Sequence, residues 1–401
     1  MHKLSTILIA LFVAVVAAAQ PSELPYRAQG TVTDAISGKP MENVSVSIPG
    51  RYFATVTNAD GGFTIRSDAP IQTVVFTHVG YHTARKAVGE GPLTVRLERE
   101  STLLESALIV SGDPREIVQA AIDRIPDNYS RRSEMLSCFY RETIRKRQRF
   151  IFISEATAKL YKSPYNGTIS QDRTALSKSR VLLSQRRSDT LSVKMMGGPT
   201  LAIYQDAVKN PEVLLEDLDK YRLEMLPPSV IDGRAQFVIR FTPGAITPYP
   251  LYDGLVWIDR DRLSFTRMEL SLDMSDPARA TRMMLIRKPL TLRFRPRELS
   301  LTVSYRTENG ITRLAYLKSV IAFDCDWKKK LFATQYTAVN ELVITDLLPE
   351  AVPIPRAEAF RHEDYLSEKA ALFADPDFWE GYNIIEPTES LEHAIGRLKR
   401  R

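Results

Sequence analysis

The side chains best suited to bind a metal or to exchange protons are scarce in this sequence. It has 5 histidines. No His-Glu-x-x-His pattern occurs, and no histidine is followed three positions later by a glutamate, so the ligand set of a zinc hydrolase is missing. His78 and His82 are four residues apart, but they flank Gly80 at the end of a predicted strand, where this spacing does not put two side chains on one face. We therefore predict no bound metal.

Motifs for covalent catalysis and for nucleotide binding are absent as well. The sequence contains no Gly-x-Ser-x-Gly, Gly-x-x-x-x-Gly-Lys or Gly-x-Gly-x-x-Gly. Five carboxylates between 253 and 273, namely Asp253, Asp259, Asp261, Glu269 and Asp273, could supply the pair that glycoside hydrolysis needs. However, Asp259 and Asp261 lie at a predicted turn, and Glu269 and Asp273 occupy the polar positions of an alternating strand. We predict that the protein is not an enzyme and has no cofactor.

Two sequence features could indicate a binding role, and the first is a group of three arginines. Arg293, Arg295 and Arg297 alternate with Leu, Phe and Pro, so on a strand their guanidinium groups share one face about 7 Å apart. One interpretation is an exposed face that protects the sheet from edge pairing. The other is a contact surface for an anionic ligand that carries phosphate or carboxylate groups.

An aromatic segment near the C-terminus is the second such feature. Phe378, Trp379 and Tyr382 follow a polar stretch and precede a short basic helix predicted at 390–401. Such a segment either packs over its own domain or docks onto a partner.

The cysteines leave two alternatives open. Cys138 and Cys325 are the only two, and a bridge between them would close a long loop worth about 5 kcal/mol in the chain-entropy model. The alternative is two separate buried thiols.

Residues 1–19 have the pattern of a secretory signal peptide. A basic start at His2 and Lys3 is followed by an apolar run and by three alanines before Gln20. Its apolar core is too short to span a bilayer, and no later segment reaches the roughly 20 apolar residues required. Cleavage would lower the formal charge from +6 to +5, because Lys3 is one of 54 Lys and Arg residues against 48 Asp and Glu. Nucleic acid is an implausible partner for an exported chain, whereas anionic lipids or glycans suit a basic surface.

Residues 24–99 have the alternation and turn chemistry of a small β-sandwich. Val44, Val46 and Ile48 alternate with serines, and 58–62 contains residues that tolerate the positive φ of a hairpin turn. The characteristic segments are Gly30-Thr-Val-Thr-Asp34, Gly38-Lys-Pro40, Asn43-Val-Ser-Val-Ser-Ile48, Thr57-Asn-Ala-Asp-Gly61 and Val79-Gly-Tyr81.

In these segments the chain resembles the carboxypeptidase regulatory-like domain, a transthyretin-like accessory domain of metallocarboxypeptidases. This domain also stands at the N-terminus of outer-membrane nutrient receptors and related exported proteins of Gram-negative bacteria. The resemblance covers about a fifth of the chain. It implies a Greek-key-like β-sandwich without a catalytic group, and a protein that is periplasmic or associated with the outer membrane.

In the remaining chain we predict a linker and amphipathic helix over 100–133, an antiparallel β-rich domain over 134–348, and an aromatic and helical tail over 349–401. Asp113 and Pro114 are a good N-cap and first residue for the helix, and Pro126 should end it. A second helix is predicted at 200–218. Strands are predicted at 136–147, 150–162, 175–185, 234–242, 254–259, 264–274, 290–295, 299–307, 314–323 and 335–344. A helix followed by a meander is similar, in architecture only, to the half-barrel of periplasmic lipoprotein carriers.

The fold class is therefore mostly β, with a sandwich followed by a larger antiparallel meander domain and a few helices. We interpret the chain as a non-catalytic exported interaction or scaffold protein of the cell envelope, with a cell-envelope or outer-membrane protein as its partner. The alternative is a periplasmic binding protein for a lipid-like or hydrophobic ligand held in a half-barrel. Phe237, Ile239 and Phe241 alternate with partly polar residues, which favours a shallow groove over a deep apolar cavity. An enzyme of unfamiliar type is a third possibility.

Overall fold

The computed structural model describes residues 24–100, 112–189, 193–195, 197–327, 333–361, 363–369, 379 and 381–399. The predicted signal peptide, most of the linker between the two predicted domains, and Phe378 lie outside these residues. The fold is mostly β, as predicted.

The N-terminal sandwich consists of two small sheets. Its strands are β1 (Tyr26–Asp34), β2 (Ser45–Ser47), β3 (Ala54–Val56), β4 (Gly62–Ser67), β5 (Thr73–Thr77), β6 (Ala84–Ala87) and β7 (Leu93–Leu97). One sheet has the order β4-β1-β7 and the other β3-β2-β5-β6. Val32, Ile65 and Phe76 are fully buried between them. Strands β1 and β7 pair in parallel at Gly30, where a Cβ atom would lie 2.0 Å from the carbonyl oxygen of Leu93. Only glycine fits this approach.

Two short helices connect the sandwich to the larger sheet. Helix α1 (Pro114–Asp123) begins as predicted, because the Asp113 carboxylate accepts a hydrogen bond from the Arg115 amide at 2.9 Å. Pro126 does not simply end the helical region, since it lies in the first turn of α2 (Ile125–Asn128), where its missing N–H costs nothing.

The larger domain contains ten antiparallel strands in one sheet. They are β8 (Glu134–Lys146), β9 (Arg149–Lys162), β10 (Arg173–Leu183), β12 (Tyr221–Ile231), β13 (Arg234–Pro243), β14 (Tyr252–Asp259), β15 (Phe265–Leu272), β17 (Leu292–Glu308), β18 (Ile311–Trp327) and β19 (Thr334–Leu348). The order is β10-β9-β8-β19-β18-β17-β15-β14-β13-β12. The last strand thus pairs with the first one of this domain, β8.

Shorter elements complete the domain. They are β11 (Lys194–Met195), α3 (Pro199–Ile203), α4 (Pro277–Met284), β16 (Leu285–Arg287), α5 (Leu366–Lys369) and α6 (Glu389–Lys399). Strands β11 and β16 pair with each other outside the main sheet. Among the described residues, no helix is both long and apolar enough to cross a bilayer.

Three predictions of elements need correction. The predicted helix at 200–218 is only α3, which ends at Ile203, followed by 3-10 turns at 211–213 and 215–220. Pro211 has no amide hydrogen to donate, so one continuous helix across 211 is unfavourable, although the helix has already ended before it. Strand β12 was missed because it contains Pro227 and Pro228, which occupy a β-bulge. The two strands predicted at 290–295 and 299–307 are one continuous strand, β17, with a bulge at Pro296.

The two faces of the large sheet have different coverings. The face that we call inner packs against α1, α3 and residues 207–218, and buried side chains fill it, among them Ile203, Leu214 and Phe241. A second apolar cluster on the same domain includes Met284 of α4 and Phe323. The opposite face, which we call outer, carries the sandwich and the C-terminal residues.

Candidate functional site

A cleft of about 340 Å³ lies between the sandwich and the outer face of the large sheet. The sandwich contributes β2, β3 and the end of β5, and the sheet contributes strands β17 to β19 and the turns after β12 and β14. The floor is partly apolar, with Val56, Ala315 and Val343, whereas the walls carry arginines, hydroxyl groups and the carboxylates of Asp232, Asp259 and Glu308. Clefts at domain junctions are common binding sites.

Three direct contacts fix the sandwich around this cleft. The Gly80 amide donates to the carbonyl of Val230 in β12 at 2.9 Å, and Gly80 has φ +75°, which favours glycine. An ion pair joins Lys318 to Glu42. The guanidinium of Arg306 donates to the carbonyl oxygen of Tyr52 at 3.2 Å.

A C-terminal strap, which we define as Trp379 and residues 381–388, joins both domains. On the sandwich, the Thr55 hydroxyl donates to the Ile384 carbonyl at 2.8 Å. The Asn383 side chain pairs with the backbone of Arg66, accepting from its amide at 2.7 Å and donating to its carbonyl at 3.1 Å. Ile385 is buried in one cluster with side chains from both domains. The strap therefore sets how the sandwich lies on the sheet.

The turn at 58–62 holds the end of the strap. This contact was not predicted from the sequence. Asn58 Oδ1 accepts from the amide of Gly62 at 2.8 Å, and its Nδ2 donates to the carbonyls of Glu386 and Pro387 at 3.2 and 3.0 Å. The Asp60 carboxylate accepts from the amide of Glu389, at the start of α6. The sequence identified these residues only as a hairpin turn, because a turn signature carries no information on a partner more than 300 residues away.

Comparison with known families identifies the sandwich. Residues 28–109 match the CarboxypepD_reg-like domain. The N-terminal sandwich is a carboxypeptidase regulatory-like domain. The match covers about a fifth of the chain, as the resemblance in the sequence indicated, and no curated protein matches the sequence.

Solved structures with some likeness to the chain include a LolA superfamily protein from Nitrosomonas europaea, at 10% identity and a TM-score of 0.25, covering 60% of this chain and 98% of that one. A DUF1329 family protein from Desulfovibrio piger has 13% identity and a TM-score of 0.24, with 62% and 100% covered. The MucA/MucB complex of Pseudomonas aeruginosa gives 12% identity and a TM-score of 0.17, with 60% and 100% covered. These scores are too low to support an inference about function.

A buried charged triad holds the strap on the large sheet. Glu155 of β9, which is completely buried, lies between Arg141 and Arg180, with 2.7 Å between Arg141 Nε and Glu155 Oε1. The Trp379 indole donates to Glu155 Oε2 at 3.1 Å, and Arg141 donates to the Ile385 carbonyl at 2.7 Å. Burial alone raises the pKa of Glu155, but the two guanidinium groups outweigh it and hold this pKa below its ordinary value.

Several ionisable groups that line the cleft beside the regulatory-like domain are neutral or paired. Burial, with help from the Arg267 charge, lowers the pKa of His78 to about 4, so this imidazole is neutral at pH 7. Arg267 is paired with Glu269, and Arg234 with Asp259. Within the described part of the chain, no group of three His, Cys, Asp or Glu residues is placed to hold a metal ion.

The predicted arginine face is only partly free. Arg295 pairs with Asp326 at 3.3 Å and Arg297 with Asp324 at 2.6 Å, both across the β17–β18 pair. Arg293 is exposed and has no carboxylate partner among the described residues. None of the three lines the cleft, so their role in binding an anion stays a prediction.

The predicted docking aromatics contact their own chain. Trp379 lies edge-on to Phe139, with 5.4 Å between ring centroids, and its indole is held by Glu155. Tyr382 contacts Trp379 at 6.3 Å and the ammonium of Lys178 at 5.6 Å. In this conformation Trp379 is engaged within the protein, so docking a partner through it would require the strap to open.

The two cysteines are separate buried thiols, not a bridge. Cys138 belongs to the core beside α1, and Cys325 to the second apolar cluster. Burial raises the pKa of both thiols to about 12, which makes them unreactive while folded.

A polar row crosses the inner face between the two apolar clusters. Glu142 of β8 lies opposite Ser154 of β9 on one side and Asn340 of β19 on the other, and Asn340 lies opposite Ser319. The Tyr140 hydroxyl donates to Glu142 at 3.0 Å. Burial raises the pKa of Glu142 to about 7, against smaller opposing effects of hydrogen bonds from Tyr140 and the Gly198 amide. Glu142 is therefore a titratable group near neutral pH.

Proposed function

We propose that the protein is a non-catalytic, exported scaffold of the cell envelope that holds a protein partner in the cleft between its regulatory-like domain and its large sheet. The observation that carries this proposal is the cleft of about 340 Å³ itself, bounded by both domains and braced by the strap. The predicted signal peptide and the domain family support export, to the periplasm or the outer membrane.

The chemistry of the walls supports a partner with acidic groups. Arg85 of β6 lines the cleft, is exposed, and has no carboxylate partner among the described residues. Apolar groups of the floor, among them Ala315 and Val343, would cover the aliphatic parts of the same segment. A peptide segment that combines carboxylates with apolar side chains therefore fits best.

The alternative of a lipid-like ligand inside the large sheet has less support. Side chains of the chain itself occupy the inner face, including Val118 and Ala121 of α1 and Leu218. A lipid would have to displace this packing, which stabilises the fold by burying apolar area. Native mass spectrometry of protein purified from its own membranes should show the bare mass, and a bound lipid would revive this alternative.

Site-specific photocrosslinking in intact cells tests the scaffold proposal. A benzoylphenylalanine at position 85 lies in the cleft, and one at position 96, also an exposed arginine of the same domain, lies on the other sheet outside the cleft. We expect an adduct with an envelope protein from position 85 and none from position 96. Ala315→Trp, which fills the floor, should abolish that adduct. No adduct from position 85, or equal adducts from both positions, would overturn the proposal.

A further inference from the structure

The antiparallel order of the large sheet collects several loops at one end. The β8–β9 turn, the end of β10, the β13–β14 loop and the α4–β16 connection to β17 all lie at this end. We call it the hairpin end. The turns after β12, β14 and β17 lie at the opposite end. The two ends differ in exposed apolar surface.

Three exposed arginines without a carboxylate partner in the described part of the chain lie at the hairpin end. Arg147 at the tip of the β8–β9 turn, Arg287 in β16 and Arg293 in β17 are exposed and have no carboxylate partner among the described residues. Several acidic groups nearby are paired, whereas Asp253 and Asp273, at the adjoining ends of β14 and β15, have no cationic partner among the described residues. Asp189 pairs with Lys146 and Arg149, Asp276 with Arg279, Asp324 with Arg297, and Asp326 with Arg295.

The same end carries exposed aliphatic side chains at loop tips. Ile246 in the β13–β14 loop is 94% exposed, and Leu290 after β16 is 98% exposed. Arg279 and Arg282 of α4 donate to the carbonyls of Thr247 and Pro248, so the two loops form one connected surface. Among the described residues of this domain, the large hydrophobic side chains that are exposed lie at the hairpin end, except Val352. Moving such side chains from water into an apolar phase lowers the free energy of the system.

A small recess at this end has matching chemistry. It measures about 190 Å³, and its lining combines the arginines 149, 186 and 397 with Phe150, Leu183 and Leu398. Guanidinium groups bind phosphate oxygens, and the apolar members suit the first carbons of an acyl chain. The recess, the arginines without a carboxylate partner and the aliphatic loop tips therefore lie at the same end of the large sheet.

We propose that the hairpin end binds the surface of an anionic phospholipid bilayer, with Ile246 and Leu290 entering the headgroup region and the free arginines contacting lipid phosphates. Aliphatic groups flanked by arginines and lysines characterise interfacial membrane contacts. This surface is separate from the cleft, so the proposal stands or falls independently of the proposed scaffold function. It also gives the domain a defined orientation, with the opposite end pointing away from the membrane.

Vesicle sedimentation tests the proposal on the purified protein. The probe is sucrose-loaded vesicles of phosphatidylethanolamine with phosphatidylglycerol, compared with phosphatidylcholine vesicles. We expect binding to the anionic vesicles only, weakened by added salt because ions screen the surface charge. Ile246→Ser with Leu290→Ser should weaken binding about tenfold or more, since each side chain loses the free energy of transfer. Arg287→Glu with Arg293→Glu should also weaken it about tenfold or more.

Matched controls separate the surface from general effects. Ile36 is 83% exposed on the regulatory-like domain, so Ile36→Ser removes an equally exposed aliphatic group elsewhere, and Arg96→Glu reverses an exposed charge there. Both controls should bind as the wild type does. Equal binding to phosphatidylcholine vesicles, no binding to anionic vesicles, or an equal loss from the controls would overturn the proposal. Circular dichroism of each variant establishes that a loss is not unfolding.

Discussion

Replacing Glu155 by glutamine is the sharpest test of how the strap holds the two domains together. The substitution keeps the shape of the side chain and removes its charge. Arg141 and Arg180, whose side chains are only 4% and 7% exposed, would then face each other without a carboxylate. Two buried guanidinium groups without a counter-charge are unfavourable because they have lost their hydration.

The expected size of the effect follows from the burial of the triad. Removing one partner of a buried ion pair costs about 3–5 kcal/mol, a large part of the roughly 5–15 kcal/mol that stabilises a typical domain. The hydrogen bond from Trp379 is kept, since a glutamine oxygen still accepts it. Most of the loss therefore comes from the two arginines and not from the strap itself. We expect a decrease of about 3–5 kcal/mol in the free energy of unfolding.

Urea denaturation of the Glu155→Gln variant measures this quantity, with Glu298→Gln as the control. Glu298 is exposed and, among the described residues, accepts only from the Ser300 hydroxyl, so removing its charge should change stability by less than about 0.5 kcal/mol. A triple variant, Arg141→Met with Arg180→Met and Glu155→Leu, should be more stable than Glu155→Gln alone, because no buried charge is left. A loss below about 1 kcal/mol for Glu155→Gln would refute the reasoning, since it would mean that water reaches the arginines.

Three further predictions concern other parts of the structure. Because folding raises the pKa of Glu142 from 4.5 to about 7, the folded state holds a proton that the unfolded chain releases. The contribution of Glu142 to the free energy of unfolding is therefore fully present below about pH 4.5, and it is lost as the pH rises to about 7. Glu142→Gln should raise the urea midpoint at pH 8 more than at pH 5. Gly30→Ala should destabilise the sandwich by about 3 kcal/mol or more, as its Cβ would lie 2.0 Å from a carbonyl oxygen, whereas Gly89→Ala, with open space around it, should be near neutral in the same calorimetric scan. Cys138 and Cys325 should react with a thiol reagent only after denaturation, and reductant should leave the melting temperature unchanged; a single bridged species in non-reducing mass analysis would contradict this.

The sequence predicted those parts of the fold that depend on neighbouring residues. Alternating apolar residues located most strands, and Asp113 with Pro114 located the start of α1, because a cap and a period are properties of neighbouring residues. Strand β12 was missed because its prolines oppose the usual propensity. The helix predicted at 200–218 was wrong from about Tyr204 onward, where Asp206 instead serves a buried ion pair with Lys162.

The candidate site was not predictable in the same way. Its cleft depends on contacts such as Asn58 with Glu386 and Gly80 with Val230, between segments that are far apart in sequence. A turn signature or a glycine at a strand end explains the local conformation of each residue without naming its partner. The aromatic tail was identified from the sequence, and packing over its own domain was one of the two interpretations. The sequence did not indicate that Trp379 would bind Glu155, which is paired with two buried arginines.

The position of the strap favours the junction over the interior as the place for the proposed binding role. A domain of about 75 residues buries only about 60% of its unfolded surface and is marginal alone, so the regulatory-like domain gains from every bond that the strap adds. Those bonds reach β3 through Thr55 and β4 through Arg66, on the side of the domain that faces the sheet. They brace the walls of the cleft, while the inner face of the sheet is already filled by α1 and α3. Because rigid walls lower the entropic cost of binding, this bracing favours the junction as the site of the proposed partner.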